Sequence, residues 1–506
     1  VVTFHPVDAL ADDTTYEVVL PAGGVSDVSG NALTEDFIFS FSTGSSLGTR
    51  EQPPEIETID FAYPVLEGET PTLSVVASDP DGEASLEYSW DFGDGAGAWT
   101  GSPSVERTFN DRGHQGVVVR VRDEQGLVTA RAFTVTVVDE IPSGPMGVNS
   151  SPIVFDPVRD WVWVVNPDND SITAVSAVTL TKLVEIPVGA QPVSLSLDGS
   201  GLLWVANEHA GTVQSVDPVD GVVRTIRFGH GSRPVAVLCD GTNHLFVSLQ
   251  GSGALVRVNT LSGQVTHRVE VGPSPRALAL DGARTRLLVT RFISSDAEGE
   301  VHEFDPSDLS PLRTYTLAPN TEPDRDTGNE GRGLPNYLSG LAITPDDGQA
   351  WVAAQKVNIY AGALRDPEYP LQPDTTVRSI TPILDLATGE ERYSERIDLD
   401  NSSQPAAAMF SPLGDYAFIL LQGNNTINVL DRLDDNLLVT RFNTGLAPQG
   451  FCYDPERGQL FTKDFMDRTV SVFDLDTFLT TGAVPVQKTA TVGTVANETL
   501  SGPGLR

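Results

Sequence analysis

Three groups of side chains in this 506-residue chain have types and spacings that could do chemistry. Asp79, Asp81 and Glu83 alternate through "SDPDGE", and Asp123 follows in "RDEQG", where a neighbouring strand end could bring it close. Carboxylates alternating round a flexible loop are hard oxygen ligands that suit calcium. Asn166, Asp168 and Asp170 in "NPDND" repeat the alternation. The same residue types also make plain turns, in which the side chain accepts from its own backbone, so both readings stand. The third group is Asp324, Asp326, Glu330, Arg332, Asn336 and Tyr337, a polar cluster carrying one ring. It reads as a partner-recognition surface and equally as a solvated acidic loop.

Other chemistry is missing from the text of the chain. There is no Gly-x-Ser-x-Gly elbow, phosphate-binding glycine loop or HExxH helix. Acidic residues number 69 against 32 Lys and Arg, a formal charge of -37. Such a field repels phosphate backbones, which excludes nucleic acid as a partner and favours cations or basic proteins. In so acidic a chain, carboxylate pairs carry no information about acid–base catalysis. Cys239 and Cys452 each sit in an apolar run, "VAVLCDG" and "QGFCYDP", as small hydrophobes; a disulfide between them stays open. No window offers the ~18 apolar residues of a membrane-spanning helix.

Three zones must position these groups. Residues 1–46 alternate as short strands, "TYEVVL" and "FIFSFSTG", around Gly-rich turns. They resemble the C-terminal half of a bacterial Ig-like domain, and half a sandwich leaves its inner face open. Residues 47–57 form a Ser/Gly, charged and proline-bearing linker. Residues 58–140 again read as alternating strands, and "YSWDFGDG" followed by "HQGVVVRVRDEQG" resembles the PKD-type Ig-like domain. The resemblance implies that Trp90 is a core ring and that Asp91 and Asp94 shape a turn.

From 146 to 499 the chain repeats with a period near forty residues, in copies starting near 152, 192, 234, 275, 339, 405 and 448. Each copy reads as four strands: an apolar run after Pro, an Asp/Gly turn, an aromatic-Val-x-Asn strand, then two more. Four antiparallel strands, seven times over, predict a seven-bladed β-propeller, since one blade cannot bury both faces alone. The fold expected is therefore all-β, with two N-terminal Ig-like β-sandwich modules, the first partial. "WVVN" and "WVAN" resemble YVTN-type propellers. His230, in "FGHGSRP", falls on a blade-to-blade connection near the expected channel mouth, where an imidazole could serve a metal.

Copies four and five are overlong, and the excess is expected in loops on one face. "GRGLPNYL" with "AWVAAQKVNIYAGALRD" resembles the propeller found upstream of di-haem cytochrome c peroxidase modules. The haem-binding CxxCH motif is absent, so haem is not expected in this segment. The resemblance implies a C-terminal module after 500–506 that the propeller docks. The expectation is a secreted, periplasmic or cell-surface bacterial protein whose propeller loops bind a protein partner or that module. The Ig-like domains would act as spacer or adhesion arms, with calcium as the candidate cofactor. Two alternatives belong to other classes: the non-catalytic part of a haem electron-transfer enzyme, and a lactonase-like hydrolase with a channel-mouth metal.

Overall fold

A computed structural model describes residues 10–11, 13–22, 36–44, 52–82, 85–321, 332–359, 376–399 and 401–493. Residues 1–141 with 477–483 form one unit, and 142–476 with the residues from 484 form the other.

In the first unit, Thr15–Leu20 pairs antiparallel with Phe37–Ser42. A sandwich follows. One sheet orders Glu55–Asp60, Thr72–Ser78 and Ser104–Glu106; the other orders Val65–Leu66, Val128–Val138, Gly113–Arg122 and Glu87–Asp91. Alternation along Gly113–Arg122 sends Val117, Val119 and Val121 inward, where they meet Trp90 and Phe133. The Trp90 and Phe133 rings meet edge to face at 6.4 Å. The Asp91 carboxylate accepts from the Gly93 and Gly95 amides, each at 3.1 Å, and fixes the turn.

The second unit is a seven-bladed β-propeller. Its inner strands are Ile153–Asp156, Pro192–Leu197, Pro234–Cys239, Pro275–Leu280, Leu334–Ile343, Pro405–Phe410 and Pro448–Asp454. Each pairs antiparallel with the strand that follows it, and each touches the next inner strand until the seventh meets the first. A repeated device ends these strands: Asp198 accepts from the Ser200 amide at 2.8 Å, and Asp240 from the Thr242 amide at 2.7 Å. Trp163, Trp204 and Trp351, all fully buried on second strands, fill the space between neighbouring blades.

All four strands of blade 7 come from the C-terminal part of the chain, so the ring closes without strand exchange. Side chains close it instead. Phe155 and Phe461 stack at 6.5 Å, Thr173 Oγ1 donates to the Val492 carbonyl at 3.1 Å, and Arg457 pairs with Asp160 at 2.9 Å. A second clamp lies on the axis. Val148–Asn149 adds to the edge of blade 4, pairing with Leu280 and Ala279. Ser150 then donates its amide to the Leu278 carbonyl at 2.9 Å. One residue on, Ser151 accepts from the Leu195 amide of blade 2 at 3.0 Å and donates Oγ to the Phe451 carbonyl of blade 7 at 3.2 Å. The segment before blade 1 thus crosses the channel and ties three blades together.

Blade 5 departs from the loop expectation. "GLPNYL" is not a loop but the opening of a ten-residue inner strand, Leu334–Ile343, paired with a lengthened second strand, Gln349–Val357. An antiparallel pair can grow at its open end, so part of the excess extends the sheet beyond the rim. The third strand is split around Pro382 into Val377–Thr381 and Ile383–Asp385. The bulge between Asn336 and Gly340 absorbs the register change.

Around the axis, the third position of each repeat, counted from the opening proline or from Ser150 in blade 1 and Leu338 in blade 5, is small: Pro152, Ser194, Ala236, Ala277, Gly340, Ala407 and Gly450. A Cβ on Gly340 would lie 2.6 Å from the Ala406 carbonyl oxygen and 2.9 Å from the Ala407 Cα. Backbone cannot yield as a side-chain tip can. Gly340→Val should therefore destabilise the propeller by about 1–3 kcal/mol, read from denaturant midpoints.

Candidate functional site

One rim of the propeller is formed where each inner strand begins and each second strand ends. The residue before the opening proline of the inner strand, or before its counterpart in blade 5, adopts a left-handed backbone in six blades: Gln191, Arg233, Ser274, Tyr337, Gln404 and Ala447, with φ between 49° and 57°. Non-glycine residues hold this region at a cost and cluster where a site is shaped. Five of the six precede proline, and the sixth, Tyr337, precedes the Leu338 that takes its place.

Inside that rim lies a cavity of about 610 Å³. Asn149, Ser150 and Ser151 line it from below, because the crossing segment occupies the middle of the channel. The wall carries two cations, Arg276 of blade 4 and Lys463 of blade 7. Each is seated on an aromatic ring at the same repeat position. The Arg276 guanidinium lies 4.4 Å from the Phe292 centroid, and Lys463 Nζ lies 5.3 Å from that of Phe465. Tyr337 packs on Phe292 at 5.5 Å.

Neither cation has a carboxylate partner in an ion pair among the described residues. Lys463, 3% exposed, donates Nζ to Gln449 Oε1 at 2.7 Å. Burial pulls its ammonium down to about 7, while the Asp168 carboxylate draws weakly the other way. Asp168 is itself shared with Arg468 at 3.4 Å. The adjacent Asp464 spends its carboxylate on the hydroxyls of Ser471, Thr469 and Thr462, and burial still raises it to about 6. Arg276 is lowered by burial, with Glu208 opposing that shift and Arg233 adding to it. Glu208, the acidic side chain of the wall, is taken by Arg233, whose Nε donates at 2.8 Å. The cavity carries one buried and one half-buried cation in a strongly anionic protein.

Glutamines complete the wall: Gln191, Gln355, Gln404, Gln422 and Gln449. Gln191 Oε1 is buried without a hydrogen-bond partner.

The sequence-based candidates fall elsewhere, with one exception. Tyr337 reaches the cavity, and Asn336 supports it by accepting from the Tyr337 and Ser294 amides at 2.9 and 3.0 Å. Arg332 precedes the inner strand of blade 5, while Asp324, Asp326 and Glu330 lie outside the described residues. His230 is exposed on a turn and does not line the cavity. Asp79 accepts from the Asp81 amide at 2.8 Å, a turn bond; Asp81 accepts from the Gln52 amide, and Asp123 accepts from the Leu127 amide at 2.7 Å. Glu83 lies outside the described residues. Asn166 donates to Ser171 and Thr173, Asp168 pairs with Arg468, and Asp170 accepts from the Gln191 amide at 2.8 Å. The three face different partners. Among the described residues no group of three or more His, Cys, Asp or Glu is placed to hold a metal. Cys239 and Cys452 are free thiols on blades 3 and 7, both raised by burial.

Aligning the repeats would have found the two cations. Lys463 stands where other blades carry Val165, Ala206, Ser248, Thr290, Ala353 and Leu420. Arg276 stands where they carry Ser151, Val193, Val235, Ser339, Ala406 and Gln449.

The architecture is that of a seven-bladed propeller with N-terminal Ig-like modules. Residues 51–138 match the family model described as PKD domain, and residues 1–43 that described as bacterial Ig-like domain. No curated protein matches the sequence. Among solved structures, hydrazine synthase of Kuenenia stuttgartiensis is similar with TM-score 0.54 and 18% identity, covering 66% of this chain and 96% of that one. Virginiamycin B lyase of Staphylococcus aureus is similar with TM-score 0.44 and 14% identity, covering 63% and 94%. These likenesses are of fold.

The depressed Lys463 makes a signed prediction. A lysine at about 7 when folded and near its ordinary value when unfolded loses stability as pH falls from that ordinary value to 7, carries the full cost below 7, and is free of it above the ordinary value. Lys463→Met removes the charge. Its gain in melting temperature over the parent should be largest below pH 7 and smallest near pH 10, measured by thermal unfolding across that range.

Proposed function

We propose that this is an extracellular or envelope-associated binding protein, whose propeller recognises an anionic partner at the channel mouth. The Ig-like modules serve as spacer or adhesion arms. One observation carries the reading: half-buried Arg276 and buried Lys463 line a single cavity without carboxylate partners in ion pairs among the described residues, in a chain with more than twice as many acids as bases. An unpaired buried charge is costly, and an incoming anion offsets that cost. Propellers place loops and rim residues on a rigid ring, which suits recognition. The PKD and bacterial Ig-like matches support an external location, and no helix among the described residues is long and apolar enough to cross a membrane. The five glutamines and three rings fit an oriented organic anion better than a bare ion.

Citrate provides a test that does not depend on knowing the natural ligand. At pH 6 and constant ionic strength, citrate should raise the melting temperature of the parent protein, since a ligand at a hundred times its Kd adds about 2.7 kcal/mol to stability. The rise should be lost in Arg276→Gln. An equal rise in that variant, or none in the parent, contradicts the reading.

A further inference from the structure

We propose that the channel-mouth cavity binds an acidic saccharide, with the sugar carboxylate between Arg276 and Lys463 and its hydroxyls on the surrounding glutamines. This rests on the anion-binding reading above and names the chemistry of the ligand. Three features of the wall, beyond its charge, point to a sugar.

The first is the concentration of amide heads. Gln191 comes from blade 2, Gln355 from blade 5, Gln404 and Gln422 from blade 6, and Gln449 from blade 7. A glutamine offers a donor pair and an acceptor on one planar head, which matches a hydroxyl that both donates and accepts. A simple carboxylate or phosphate offers acceptors alone and leaves the amide oxygens idle. The second feature is an amide head already oriented: the Gln449 oxygen is taken by Lys463 Nζ, and its NH2 remains to donate.

The third feature is the pairing of cations with rings. Arg276 over Phe292 and Lys463 by Phe465 present charge beside an aromatic face, and Tyr337, 41% exposed, extends the Phe292 surface. A pyranose has the same division, with an apolar C–H face and polar edge; a uronic acid adds one carboxylate. About 610 Å³ lies within the range of small-molecule sites and admits more than one sugar ring. The floor made by Asn149, Ser150 and Ser151 prevents threading, so the end of a chain enters, not its middle.

The groups facing the two cations set the pH response. Around Lys463 they are Asp168 with its partner Arg468, and Asp464 held by hydroxyls. Around Arg276 they are Glu208 and Arg233. Lys463 discharges near neutrality and Asp464 gains charge above about 6, and both changes make a uronate bind more tightly at pH 6.0 than at pH 8.5, although its own carboxylate is ionised at both.

Isothermal titration of the full chain with trigalacturonic acid tests this, alongside its fully methyl-esterified form and maltotriose. The acid should bind; the ester and maltotriose should bind at least about tenfold more weakly, the scale of one charged hydrogen bond. Arg276→Gln should weaken the acid by about tenfold or more. Gln404→Ala and Gln422→Ala should weaken the trisaccharide more than they weaken citrate stabilisation, a split that general unfolding cannot produce. Equal affinity for acid and ester, or indifference to the glutamine variants, overturns the proposal. If trigalacturonic acid fails while citrate still stabilises the parent, the saccharide falls and the anion site stands. If both fail, both fall.

Discussion

Seven twisted sheets can share an axis only if their inner strands approach to backbone distance. This constraint governs the rest of the propeller. It demands small residues at the third position of each repeat, and Gly340 and Gly450 mark where even a methyl group would strike a neighbouring blade. It also leaves a channel whose walls are backbone and short side chains, so any long side chain at the rim projects into common space. The crossing segment at Val148–Ser151 then uses that channel as a groove, adding hydrogen bonds to three blades and turning an open tube into a blind cavity.

Charge gains meaning against this frame. Elsewhere in the protein many cations are absorbed by the abundant acids, as Arg396 is by Glu391 at 2.7 Å and Arg392 by Asp385 at 2.8 Å. At the cavity the opposite holds. Lys463 is set on a second strand where other blades place apolar or hydroxyl residues, and the nearest carboxylates are committed to Arg468 or to hydroxyl groups. Burial without a counter-ion explains both its depressed ionisation and its availability to an incoming anion. Arg276 is steadied by a ring and not by an acid.

The fold was legible because repetition amplifies weak local signals. Pro before each inner strand, Asp at its end and an aromatic on the second strand recur, and each has a structural job: the rim turn, the capped hairpin, the inter-blade packing of Trp163, Trp204 and Trp351. Blade 5 was less legible, since extra length says nothing about whether it loops out or extends a pair. The site was mostly illegible from motifs. Searching for carboxylate alternation led to Asp79 with Asp81 and to Asp168 with Asp170, whose hydrogen bonds within the protein serve turns and rim contacts. Residues that break a repeat column were the better signal, because a ring converts equivalent positions into one shared surface.

The central claim is that Lys463 is a buried cation lacking a counter-ion in the wall of an anion site. The chain contains four lysines, Lys182, Lys356, Lys463 and Lys488, so carbon-13 labelling of lysine side chains and NMR titration can follow each one. The account predicts that Lys463 titrates near 7, well below the ordinary lysine value, and moves upward when citrate is added. Titration of Lys463 at the ordinary value, unmoved by the anion, would contradict it.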